Sequence, residues 1–470
     1  MDQTATPNPG KPGPLDRLFS LTARGSSVRL EVLGGVTTFV TMAYIIVVNP
    51  AILGFAKIPV EPSTVATVLA AAFGCLLMGV YANRPIAVAP YMGENAFIAF
   101  GMAAMGVAWQ QRIGAVFVSG AAFLLLTVLH LRERLVSAIS PSMKHALCVG
   151  IGLFLAFIGL YETGIVTSAA AGMPAGALLA PGGEFLTAPP VPVKIGNLLD
   201  AKVLLAVCGF VIMAVLMHHR VHGALLIGMA LTAVAGYAMG LGKAPEAVFA
   251  LPFTGKYDLS QIALKLDIVG VLKLSFLPVL LTLFLMSLLD TLGTLVGVGA
   301  AGNMLDEKGN FPDIKRPMIV DAASCMFSAV VGTSTSGAYI ESATGIREGA
   351  RTGLAAIVTG LLFLASLFFL PLLGPLQGLT YVYGPALVAV GVLMLRQVAR
   401  IDFDDLTEAV PAFATIAMMV FTYNIANGLT AGLVLHPLFK LTAGRFRELT
   451  PGGVVLGLVC LAYYIFGLPH

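Results

Sequence analysis

The strongest constraint on this chain is a succession of apolar runs about as long as a bilayer is thick. A spanning helix needs about 20 mostly apolar residues. Such runs recur near 31–54, 63–82, 113–132, 143–161, 202–218, 222–241, 274–298, 316–332, 351–374 and 382–397. Shorter or interrupted candidates at 85–102, 336–347, 409–423 and 427–441 bring the predicted spans to fourteen. A last run at 452–468 reads as a fifteenth span or an interfacial helix. Only 11% of the 470 residues are charged, against about 25% in a soluble domain. The class is therefore an all-α polytopic membrane protein.

Net charge is +3, too small to suggest nucleic-acid binding, and the placement of the basic residues is more informative. Arg17, Arg24 and Arg29 precede the first apolar run, which predicts a cytoplasmic N-terminus by the positive-inside bias. The first residues lack the basic and apolar regions of a signal peptide. With the N-terminus inside, fourteen spans place four basic loops in the cytoplasm: 132–144 (Arg132, Arg134, Lys144), 218–222, 306–316 (Lys308, Lys315, Arg316) and 396–400. The Pro/Gly-rich 172–196 stretch and the mixed-charge 243–267 stretch then become outer loops.

Two segments do not read as continuous helices. APYMGENAFIAF contains Pro90 and Gly93, and GTSTSGAYIESATGI contains Gly332, Gly337 and Gly345 around a Ser/Thr cluster. Proline and glycine break the helix, and hydroxyls satisfy the freed backbone groups. The pattern predicts, in each, an extended stretch followed by a half-helix beginning near Glu94 or Glu341. Half-helix N-termini expose N–H groups and partial positive charge, and paired interrupted segments point to a transport site. The alternative is a pair of kinked packing helices. The offset between the two segments is 247 positions, the difference between 341 and 94, and it carries Leu30 to Leu277, near the start of another span. Two halves of seven spans each, an odd number, insert with opposite orientation; this is an inverted repeat.

Three acids, Glu94, Asp290 and Glu341, fall at candidate membrane depth, where each costs roughly 2.5–3.5 kcal/mol at a helix centre. No Lys or Arg of comparable depth lies nearby in sequence, so they are expected to face a cavity. Thr294 lies one helical turn from Asp290, beside a stripe made by Gly293 and Gly297. Glu341, next to Ser342, can accept from ligand N–H groups or, when protonated, donate. Burial and neighbouring acids both favour protonation of such a carboxyl, which is what a proton-coupled carrier needs. Asn95 offers both donor and acceptor, suiting a planar heterocycle, and Tyr91 and Phe97 are candidate walls. The alternative for each acid is a structural capping role, and for the aromatics simple packing.

The remaining features are bland. His218, His219 and His222 sit beside Arg220 in a loop and read as solvated charge rather than metal ligands, and Asp402, Asp404 and Asp405 as capping charge. The five cysteines show no C-x-x-C pairing, as expected of small core residues. No protease, hydrolase-elbow or P-loop motif is present, so nothing supports an enzyme or a resident cofactor.

RLEVLGGVTTFVTMAYIIVVNPAIL, MGENAFIAFG, SLLDTLGTLVGVGAAG, GTSTSGAYIESATGIREGARTGL and IDFDDLTEAVPAF together resemble the azaguanine-like purine permeases of the nucleobase:cation symporter-2 superfamily. The resemblance implies a seven-plus-seven inverted repeat in which segments one to four and eight to eleven form a core and the rest a gate. The expected division is a cytoplasmic tail at 1–28, core at 29–135 and 270–375, and gate at 136–245 and 376–470. The resemblance further implies proton-coupled uptake of hypoxanthine, guanine or adenine at a plasma membrane, binding positions at Asn95, Asp290 and Glu341, and room for a homodimer through the gate. Asp290 and Glu341 are the expected proton-coupling acids; Glu94, Thr294 and Ser342 complete the candidate site. The family commonly has an apolar residue where this chain has Glu94. The alternatives are the same fold carrying uracil, xanthine or a small anion, a channel, or a receptor that binds without transporting.

Overall fold

The computed structural model describes residues 14–129, 139–171, 192–302, 304, 311 and 313–466. The predicted basic-loop residues Arg132, Arg134 and Lys308, and most of the 172–196 loop, lie outside them. Eight helices among the described residues are long and apolar enough to cross a bilayer. The other predicted spans are shorter or less apolar helices, such as Ala224–Ala238, Leu406–Phe421 and Ile425–Thr442, and two broken segments. The terminal run is a helix, Pro451–Phe466.

The first predicted span is present as Val28–Phe55, interrupted by a two-residue turn. It divides into Val28–Met42 and Ile45–Phe55, with Pro50 inside the second part. Proline has no N–H for the carbonyl four residues earlier, and the carbonyl of that residue, Ile46, instead accepts from the Gln377 amide at 3.0 Å.

Both broken segments have the predicted layout. In the first, strand Val88–Pro90 leads into helix Met92–Ala96, which continues as a wider turn through Phe97–Gly101. In the second, strand Ser336–Ala338 leads into helix Ser342–Arg347. The strands pair antiparallel, with Val88 opposite Ala338, Ala89 opposite Gly337 and Pro90 opposite Ser336. Further bonds run from Tyr91 N–H to Thr335 O and from Tyr339 N–H to Ala87 O. Backbone freed at mid-membrane is thus satisfied by its counterpart from the other half. The Cys75 and Cys325 thiols close the remaining gaps, donating to Val88 O and Ser336 O.

The packing repeats with the halves exchanged. Trp109–Val128 lies on Lys315–Val331, as Gly353–Ser366 lies on Val60–Leu77. Val28–Met42 packs on Gly353–Ser366, as Leu277–Ala301 packs on Trp109–Val128. A second group joins Pro141–Glu162 to Thr380–Leu395, with Ala201–His218 and Ala224–Ala238 on one side and Leu406–Phe421 and Ile425–Thr442 on the other. The fold is a seven-plus-seven inverted repeat, and a local twofold relation passes through the paired strands.

Glycine makes the close approaches. A Cβ at Gly345 would clash with the Gly34 backbone oxygen and the Thr38 hydroxyl, whereas a Cβ at Gly293 would meet nothing within 4 Å. Gly345→Val is expected to lower the melting temperature of the detergent-purified protein, overpacking costing about 1–3 kcal/mol. Gly293→Ala is expected to leave it unchanged or raise it, alanine being up to about 1 kcal/mol the better helix former. Equal effects from the two changes would contradict this packing.

Candidate functional site

The site is built where the paired strands release their chains into the two short helices. Tyr91, just after the first strand, lays its ring against Gly337, where any side chain would collide with it. The ring also stacks on Tyr339, with centroids 6.3 Å apart. The Tyr91 and Thr291 hydroxyls are 3.1 Å apart, tying the first broken segment to the Leu277–Ala301 helix. Tyr339 donates to Pro90 O at 2.5 Å. The two tyrosines therefore fasten the strand crossing from both sides.

The three predicted acids gather here in unequal surroundings. The Tyr339 phenol is within electrostatic reach of all three carboxyls. Glu341, half-buried at the head of Ser342–Arg347, accepts from the Tyr44 hydroxyl at 3.0 Å. Asp290 is half-buried on Leu277–Ala301. Glu94 is fully buried, and among the described residues neither of its oxygens has a hydrogen-bond donor. Its polar neighbours are Asp290 and Ser287.

The other predicted residues divide. Asn95 is fully buried; its amide donates to Asn49 O at 3.1 Å while its own oxygen has no partner among the described residues. Thr294 is half-buried on the same side as the open Gly293. The Ser342 hydroxyl is occupied, accepting from Ala87 N–H at 2.9 Å. Phe97 is fully buried in the core and Tyr91 is engaged in the crossing. An open face remains along Asp290, Gly293, Thr294 and Gly297, opposite Glu341 and the half-exposed Ile340.

The helix after the first strand runs on through Phe97–Gly101 and Met102–Ala104, whereas the helix after the second is only six residues long. Glu94 lies in the first turn of the first helix and Glu341 caps the second, so each helix start carries an acid. Four participants were not anticipated. Tyr44 holds Glu341; Thr291 holds Tyr91; Asp321, an acid inside a predicted span, accepts from Ala338 N–H. Asn49 is the hub: its amide donates to Thr67 and Thr333 and its oxygen accepts from Ser334. The signal available for Asn49 and Asp321 was their polarity within apolar runs. His218, His219 and His222 are exposed, and no cluster of potential metal ligands occurs among the described residues.

Helices without enzyme motifs, an inverted repeat and acids gathered where two broken segments cross define a multi-pass membrane transporter. Solved structures share the fold. The transmembrane domain of the cyanobacterial bicarbonate transporter BicA superposes with a TM-score of 0.60 at 15% identity, covering 86% of this chain and 97% of that one. SLC26A9 follows at 0.59 and 12%, covering 89% and 66%. A family model described as the Permease family matches residues 29–430, and the chain belongs to that family of permeases, not enzymes. Among its relatives, the adenine permease AdeP of Escherichia coli (strain K12) is 38% identical over 97% of this chain and 96% of its own length. The guanine/hypoxanthine permease PbuG of Bacillus subtilis (strain 168) is 38% identical over 95% and 99%.

Leaving a buried polar partner unsatisfied costs about 1–3 kcal/mol. Asn49→Ala is therefore expected to reduce thermal stability by more than Thr294→Ala, which changes a half-buried residue on the open face. The reverse order would contradict Asn49 as the hub of the crossing.

Proposed function

We propose that the protein carries purine nucleobases into the cell across the plasma membrane, driven by protons. The observation that carries this reading is the end-to-end correspondence with permeases named for adenine, guanine and hypoxanthine. The chemistry of the crossing supports it. Asp290 and Glu341 accept from ring N–H groups, and the unpartnered Asn95 oxygen on the first short helix offers another acceptor. These acceptors suit a neutral base rich in N–H donors. They oppose an anion, since acids gather at the crossing and no cation faces it among the described residues.

Protons supply the driving force. Each charge moved through 100 mV supplies about 2.3 kcal/mol, roughly a fifty-fold concentration ratio. Alternating access would come from the group containing both broken segments rocking against the group built on Pro141–Glu162 and Thr380–Leu395. The two groups meet where Gly93 faces Ile151 and where Phe100 meets Tyr423 edge-on, at 5.4 Å between centroids. The N-terminus is cytoplasmic in this scheme.

Uptake of labelled adenine, guanine, hypoxanthine and uracil, in cells lacking their own permeases, tests the reading. At least one purine should accumulate, accumulation should collapse with a protonophore, and Asp290→Asn and Glu341→Gln should each reduce it at least tenfold, about 1.4 kcal/mol. Accumulation of uracil alone, or of no base by protein that reaches the membrane, would refute it.

A further inference from the structure

The 247-residue offset between the two broken segments carries Glu94 to Glu341, and it carries Tyr44 to Thr291, the neighbour of Asp290. Each half presents an acid from the start of the helix after its strand, Glu94 in the first turn and Glu341 at the cap, to the opposite half's first span. The partners differ. Glu341 meets a phenol that donates to it. Glu94 meets Asp290, a second acid. An ionised carboxylate has acceptors only; two ionised carboxylates facing each other repel, and a shared proton relieves that repulsion.

Among the described residues the surroundings supply one neutral donor, the Ser287 hydroxyl, and no cation. Glu94 is fully buried with neither oxygen hydrogen-bonded, and the nearby Ser287 oxygen is likewise buried without a partner among the described residues. The titratable groups facing the pair are Tyr91 on its own segment, Tyr339 on the second broken segment, Cys148 on Pro141–Glu162 and Cys325 on Lys315–Val331. None of them is a cation. Asp321 adds a further negative charge beside Tyr91 and Cys325.

We propose that Glu94 and Asp290 form a dyad sharing one proton, and that this dyad is the coupling-proton site, with Glu341 left to bind substrate. The inference rests on the transport reading above. Asp290 borders the open face and is the entry point: a proton from water binds the pair while both acids are ionised, one O–H bond forms, and the negative charge of the pair falls by one. With the dyad singly protonated, Glu94 holds the proton away from solvent and Asp290 is free to accept from the base. Release of the same proton to water on the other side restores the doubly ionised pair. Glu94 does not touch substrate in this scheme; it acts through Asp290.

The test compares wild type, Glu94→Gln and Glu94→Leu in proteoliposomes, with labelled adenine, guanine and hypoxanthine each as probe. Two readouts separate coupling from binding: accumulation driven by an inward proton gradient, and exchange of external labelled base for internal unlabelled base without a gradient. With Asp290 left as the sole proton acceptor, the dyad predicts that both variants still accumulate base but need a roughly tenfold higher external proton concentration than wild type to do so, because the neighbouring acid that favoured protonation is gone. Variants that accumulate like wild type with the same dependence on external pH would overturn it. So would equal loss of exchange and accumulation in well-folded Glu94→Gln, since that outcome makes Glu94 a binding or packing residue. Accumulation by wild type driven by a sodium gradient, and lost in Glu94→Gln, would assign the pair to Na⁺ and overturn the proton. Failure of wild type to exchange or accumulate any purine overturns the transport reading itself, and is recognisable because it precedes any comparison of variants.

Discussion

Everything in this molecule depends on how two interrupted segments satisfy their backbones in the middle of a membrane. Breaking a helix there strands N–H and carbonyl groups where water is absent. The solution is mutual: Val88–Pro90 and Ser336–Ala338 pair with each other, and the Ser342 hydroxyl, the Asp321 carboxylate and two cysteine thiols take up the groups that pairing leaves. Neither strand can do this alone, so the two halves are interdependent. The small residues at the crossing follow from the same requirement, because Gly337 must admit the ring of Tyr91.

Function grows from the residues that follow the strands. The chain turns from extended to helical at Tyr91 and again at Tyr339–Glu341, where the two tyrosines are buried against the crossing. The twofold relation delivers an acid to the start of each helix, and the sequence then breaks the symmetry. One acid receives a neutral donor and the other a second acid. A symmetric scaffold holding unequal partners separates a ligand-holding position from a charge-storing one, and this underlies the assignment of Glu341 and the Glu94–Asp290 pair to different tasks.

Much of this was legible in the sequence because hydropathy and helix breakers act locally. Apolar runs gave the spans, Pro90 and Gly337 marked the interruptions, and Glu94, Asp290 and Glu341 stood out as charges where lipid forbids them. The Permease family and the inverted-repeat fold agree with that reading. What remained hidden was pairwise and long-range. Nothing local shows that Tyr44 meets Glu341, 297 positions away, or that Ser342 is occupied by Ala87, 255 positions away. The division of the first span at residues 43–44 was equally invisible, since MAYII is apolar and carries no proline. Asn49 and Asp321 were readable in principle as buried polar groups, but their role is set by partners in the opposite half.

The most direct measurement is an electron cryomicroscopy structure of the detergent-purified protein saturated with the purine that it takes up. The account predicts density for a planar ring on the open face between Asp290 and Glu341, in contact with both carboxyls and with Glu94 behind Asp290 and out of contact. A ring bound away from the strand crossing, or one touching neither Asp290 nor Glu341, would contradict it.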